Sequence, residues 1–246
     1  MTDRPQLELT EFDDDFSTVL CVAAHPDDIE YGTAAAVDRW TKAGKTVTYF
    51  LLTRGEAGID TMEPAKAGPL REQEERDGAA VVGVTEVDFA SYPDGAVEYS
   101  LGLRRDITRE IRRRRPDVVI SGAYHDRFFG GMPNQADHRA VGLAALDACA
   151  DAGNRWIFPE LAAEGLEPWG GVRWVGFGGS PQPSHYVDVT GHFDAAVASL
   201  EALHEYNRAL PDDFPAPREL LGMILGGGGQ AAGVEHALLL DVVSRG

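Results

Sequence analysis

Apolar and β-branched residues gather in short runs separated by longer stretches with helical spacing. The runs at 18–24, 46–52, 86–90, 117–122, 172–178 and 186–189 read as buried strands. Between them, residues 30–43, 69–82, 101–114 and 137–152 carry apolar positions at helical intervals, and further helical pieces are predicted at 193–207, 216–225 and 231–243. Strands alternating with helices imply parallel pairing with helices on both faces. The expected fold is therefore α/β, a three-layer α/β/α arrangement with a mainly parallel Rossmann-like sheet. Neither an internal repeat nor a long linker divides the chain, so a single domain over 1–246 is expected, with C-terminal helices in about 191–246 packing on or near the site. Two irregular zones, 122–135 and 153–171, are rich in Gly, Pro and aromatics and have the look of substrate-facing loops.

In open α/β sheets ligands bind beyond the carboxyl ends of the strands, where the strand order reverses. The first such join reads Ala24-His25-Pro26-Asp27-Asp28-Ile29-Glu30. One Asp is enough to cap the following helix, which is the plain reading of a lone carboxylate there. Two adjacent Asp point in different directions, so His25 and Asp28 can converge on a cation while Asp27 faces what the cation binds. A second candidate ligand, His138, opens a later helix within Asn134-Gln135-Ala136-Asp137-His138-Arg139, at the same edge of the sheet. Two His and one Asp without a fourth side chain describe an open catalytic zinc site rather than a closed structural one. The same set also occurs with non-haem iron, although a spare carboxylate beside it suits hydrolysis better. A nucleotide-binding module would need a Gly-rich turn after the first strand, and His-Pro-Asp-Asp stands in its place.

These residues resemble the LmbE-like, or PIG-L, deacetylase family, whose hallmark is a strand followed by Ala-His-Pro-Asp-Asp and then Glu. The resemblance continues in Thr53 to Gly58, Leu70 to Glu74, Tyr92 to Gly95 and Gly233 to His236. It implies that His25, Asp28 and His138 ligate zinc, that Asp27 is the general base, and that Asp137 orients a ligand or the opposite histidine. It further implies substrate contacts from Arg71, Asp94, Glu56 and Glu235, although Arg71 could equally pair with Glu74 or Glu75 and Asp94-Gly95 is also an ordinary turn dipeptide. The activity implied is zinc-dependent hydrolysis of an N-acetyl or similar N-acyl amide on an amino sugar or glycoside. A larger-acyl or thiol-conjugate amidase is the alternative. One departure stands out: Gln135 occupies a place where the family often has a histidine thought to stabilise the oxyanion. A neutral amide can donate there without carrying a charge; otherwise His125 or His185 takes over that task.

Charge narrows the partners. Lys and Arg total 22 against 40 Asp and Glu, a net charge of −18 that would repel phosphate backbones and anionic membranes. A small-molecule substrate is expected, with no nucleic acid or membrane partner; a homo-oligomer is compatible with the sequence. The run Arg112 to Arg115 reads as the solvated last turn of a helix, and Gly226 to Gly229, lacking the strand before and Lys after of a phosphate loop, as a hinge between helices. Cys21 and Cys149 are too few for a disulfide framework. With an acidic N-terminus unlike a signal peptide and apolar runs short of the ~20 residues of a membrane helix, the expected location is the cytoplasm.

Overall fold

The computed structural model describes residues 8–245. In chain order the elements are β1 (Thr10–Glu11), β2 (Thr18–Ala23), α1 (Thr33–Lys42), β3 (Thr46–Leu51), α2 (Pro64–Val81), β4 (Val87–Phe89), α3 (Leu101–Arg114), β5 (Val118–Gly122), α4 (Ala136–Gly153), α5 (Glu160–Ala163), β6 (Trp174–Gly178), β7 (His185–Asp188), α6 (Phe193–Glu201), α7 (His204–Ala209), α8 (Pro217–Ala232) and β8 (Ala237–Ser244). The strands form one sheet in the order β1-β7-β8-β6-β5-β2-β3-β4. All pairings are parallel except those of β8, which runs antiparallel between β6 and β7.

Side chains of a strand alternate between faces, and β2 shows what that does here. Val19, Cys21 and Ala23 pack into a core with α1, α6 and α8, whereas Leu20 and Val22 pack into a second core with α3 and α4. A continuous apolar run is thus explained by a strand covered on both sides. From β2 the chain builds through β3 to β4 in one direction, then crosses to β5 and β6 on the other side of β2. The order reverses between β2 and β5, and the segments leaving those two strands carry the two His-containing motifs.

Four expectations change. Residues 237–244 form β8 rather than a helix. The Leu238-Leu239-Leu240 run suits a helix in isolation, but inside a sheet it fills the gap between β6 and β7, and tertiary context overrides propensity. The glycine run is no hinge: it lies inside α8. A Cβ on Gly228 would sit 2.2 Å from the Ala237 carbonyl oxygen and one on Gly229 2.4 Å from that of Glu235, so the helix crosses the start of β8 at a distance only glycine allows. The 153–171 zone lies at the opposite edge from the two motifs, because the Trp169 indole donates to the Pro116 carbonyl just before β5. Arg112, placed in solvent by the sequence reading, is buried against this zone and donates to the carbonyls of Asp151, Ala152, Asn154, Ile157 and Phe158. Among the described residues, no helix is long and apolar enough to cross a membrane.

Candidate active site

The turn after β2 brings three acidic or imidazole groups into a small volume. Asp28 Oδ2 accepts from the backbone N–H of Ala24 and of His25, each at 2.9 Å, which fixes its carboxylate inside the turn. Its Oδ1 lies 2.9 Å from His138 Nε2, and His25 Nδ1 lies 3.2 Å from the same nitrogen. His25, Asp28 and His138 each offer one ligand atom within 4.8 Å of the others, a group that could hold a metal ion.

The surroundings of each ring decide which nitrogen carries its proton. Asn134 donates through Nδ2 to the carbonyls of Ala123 and His125, so its Oδ1 is the acceptor facing His138 Nδ1 at 3.1 Å. That assigns the proton to Nδ1 and leaves the Nε2 lone pair aimed at Asp28. His25 Nε2 faces Asp94 Oδ1 at 3.1 Å and Asp137 Oδ2 at 3.2 Å, both acceptors, so its proton is there and the Nδ1 lone pair also points inward. Two lone pairs and a carboxylate oxygen converging on one volume repel one another unless something positive joins them. Without a cation the acidic surroundings would put the positive charge on the ring itself: burial opposes charge on His25, but hydrogen bonds to Asp137, Asp28 and Asp94 prevail and push its pKa up to about 12, a demand for positive charge that a metal ion would meet while leaving Nδ1 free to ligate. Outer groups that fix ring tautomers in this way are what metal-binding histidines require.

Asp137 is buried and accepts from the backbone N–H of Gly95 at 2.8 Å and of Val97 at 3.1 Å, besides meeting His25. Asp94 Oδ2 accepts from Ala57 N–H at 2.8 Å, and Glu56 answers by accepting from Asp94 N–H at 3.0 Å. Asp94, Glu56 and Asp137 thus knit together the loops after β3 and β4 and the start of α4.

Asp27 stands apart from the ligand group. Its φ of 101° is a left-handed conformation, which costs a residue with a Cβ on the order of 1–3 kcal/mol. Arg71 holds it: the guanidinium Nη2 bonds Asp27 Oδ2 at 2.7 Å and also reaches the Pro26 carbonyl. Burial raises the Asp27 pKa, Arg71 opposes that shift and Asp28 adds to it. Arg71 is only 1% exposed, lying beneath Asp27 with the Tyr206 ring 3.6 Å from its guanidinium carbon. Gly55, at φ 63°, lets the loop after β3 close over it, since a Cβ there would meet Arg71 Nε at 3.1 Å.

The remaining candidates are exposed or engaged with other rings. Gln135 is the exposed N-cap residue of α4 and its side chain makes no capping hydrogen bond. Glu235 is exposed in the turn between α8 and β8, beyond the strands that carry the motifs. His125 stacks on Tyr124 at 4.6 Å, and His185 packs edge-on to Phe12 at 6.2 Å. Sequence reasoning passed over Asn134, although it stands four residues before His138 within the second motif. It named Glu75 only as an alternative partner for Arg71 and passed over Tyr206; no sequence signal ties either to Asp27, because α2 and α7 meet Asp27 only through the fold.

The fold and these residues define an enzyme, an amide hydrolase of the deacetylase class. The chain belongs to the PIG-L family: the family described as GlcNAc-PI de-N-acetylase matches residues 20–149. The chain is 29% identical over 203 residues to a diacetylchitobiose deacetylase of Thermococcus kodakarensis, covering 81% of this chain and 72% of that protein. It is 28% identical over 176 residues to a 1D-myo-inositol 2-acetamido-2-deoxy-alpha-D-glucopyranoside deacetylase of Saccharopolyspora erythraea, covering 61% of each. Among solved structures, N,N'-diacetylchitobiose deacetylase of Pyrococcus horikoshii superposes with a TM-score of 0.83 at 24% identity, over 94% of this chain and 85% of that one, and shares its fold.

Proposed function

We propose that this chain hydrolyses the N-acetyl amide of an amino sugar or its glycoside, with zinc held by His25 Nδ1, His138 Nε2 and Asp28 and with Asp27 as general base. The observation that carries this reading is the convergence of two imidazole lone pairs on Asp28, each ring being locked in the required tautomer by Asn134 or by Asp94 and Asp137. Two His and one carboxylate fit zinc, which supplies Lewis-acid activation of water and of the amide carbonyl.

The chain's own groups do the rest. Asp27 accepts a proton from the attacking water and returns it to the leaving nitrogen, so the amine departs neutral; the second proton of that water stays on the carboxyl product, which leaves as acetic acid and ionises in solution. Its raised pKa suits both halves of that exchange. Arg71 keeps the carboxylate aimed and prevents it from turning toward the ligands. Gln135, exposed three residues before His138, would offer an amide donor to the oxyanion. Arg71, Glu56 and Asp94, whose hydrogen bonds already hold neighbouring loops, brace the pocket rather than grip the sugar. Both sequence relatives described above carry names of N-acetylated glucosamine derivatives, which supports that substrate class.

The test is release of primary amine from N-acetylglucosamine, diacetylchitobiose and N-acetylglucosaminides, measured before and after chelation and after return of zinc. Activity lost with the metal and restored by zinc supports the reading. Full activity in the chelated protein contradicts it.

A further inference from the structure

Beneath Asp27 lies a pair of carboxyl groups that the proposed chemistry does not use. Glu75 on α2 and Glu30 after the first motif are both fully buried, and Glu75 Oε1 and Glu30 Oε2 have no hydrogen-bond partner unless the two groups share a proton. Glu75 Oε2 is engaged: it accepts the backbone N–H of Asp27 at 3.2 Å. Glu75 stands four residues after Arg71, so both project from one face of α2 into the same turn. Arg71 takes the Pro26 carbonyl and the Asp27 carboxylate, and Glu75 takes the peptide N–H between them.

We propose that Glu75 is a positioning residue for the base: as a buried acceptor for the Asp27 N–H, it completes with Arg71 a two-point clamp that holds the Asp27 backbone in its left-handed conformation. The inference deepens the reading of Asp27 as general base and rests on it. A neutral carboxylic acid meets the requirement best, since its carbonyl oxygen accepts from Asp27 while its hydroxyl donates to Glu30. Burial, followed by the charge of Glu30, pushes the Glu75 carboxyl well above the usual range, in keeping with that form. An amide has the same donor and acceptor pattern, so glutamine is the natural replacement.

The experiment compares Glu75→Leu and Glu75→Gln in the zinc-loaded enzyme. The leucine variant should lose on the order of 10-fold in kcat with KM and bound zinc unchanged, because a misplaced base slows the chemical step alone. The glutamine variant should stay within about 2-fold of the original enzyme, its amide oxygen replacing the acceptor. Hydrogen exchange of the peptide spanning 24–31 reads the clamp independently of activity, and the Asp27 amide should exchange faster in Glu75→Leu only. If the leucine variant does not fold, Glu75→Met takes its place under the same expectations. Three results overturn the proposal: exchange and kcat unchanged without the acceptor, a glutamine variant as slow as the leucine one, or kcat falling in step with bound zinc. A native enzyme that releases no amine would count against the deacetylase reading, while the exchange comparison would still decide on the clamp.

Discussion

Two buried arginines at opposite edges of the sheet are satisfied in contrasting ways. Both are 1% exposed. Arg112, at the end of α3, gives its donors to five backbone carbonyls of the 151–158 segment, and every acceptor is neutral. Arg71, on α2, meets one carboxylate and one carbonyl, while its Nε and Nη1 have no hydrogen-bond partner. A saturated arginine closes a turn and has nothing further to do. An arginine with buried donors to spare beside a strained carboxylate is costly to keep, and such cost collects where a side chain must be aimed.

Replacing the partner of Arg71 should have the largest effect. Asp27→Asn keeps the shape of the carboxylate but cannot take a proton, so turnover should fall by roughly 10²-fold or more with zinc still bound; equal turnover would place the base elsewhere. The same logic makes Arg112→Met a stability variant. Leaving buried carbonyls without donors should cost about 3 kcal/mol, which lowers Tm by roughly 6–12 °C in a chain of this size, while kcat per folded molecule is unchanged. Arg71→Met should show the reverse, a kcat lower by on the order of 10-fold with a smaller change in Tm. If both variants lost stability alone, the contrast between the two arginines would fail.

A subtler consequence concerns pH. As the proposed base Asp27 would act in its ionised form, and burial holds its pKa above the ordinary 3.8, so turnover should fall on the acid side at a midpoint above that value. Arg71 pulls that pKa down, so removing its charge in Arg71→Met should move the acid limb to higher pH still. A limb that shifts downward would contradict the assignment. The smallest effect is expected at Glu235, exposed in the turn before β8: Glu235→Ala should change neither turnover nor zinc content, and stability by no more than about 0.5 kcal/mol.

The part of the sheet from β5 through β2 to β3 was legible in the sequence because these strands are continuous apolar runs, each leading into a helix with clear spacing. The two His motifs could be placed at one edge for the same reason. The C-terminal part was harder. Residues 237–244 are a strand because a gap between β6 and β7 must be filled, a fact that belongs to other parts of the chain. Gly226 to Gly229 read as a hinge because glycine weakens helices, whereas here two of these glycines let α8 cross close to backbone. Within the site, His25, Asp28 and His138 stand in recognisable motifs. Glu75 and Tyr206 do not, since what they share with Asp27 is proximity across the fold rather than any spacing along the chain.

The central claim is that His25, Asp28 and His138 hold zinc as a set. Metal content of the purified chain and of Asp28→Ala, measured side by side after equilibration with zinc, tests it most directly. The claim predicts about one zinc per native chain and nearly none in the variant, because two remaining ligands leave a far weaker site. Near-stoichiometric zinc retained by Asp28→Ala would contradict it.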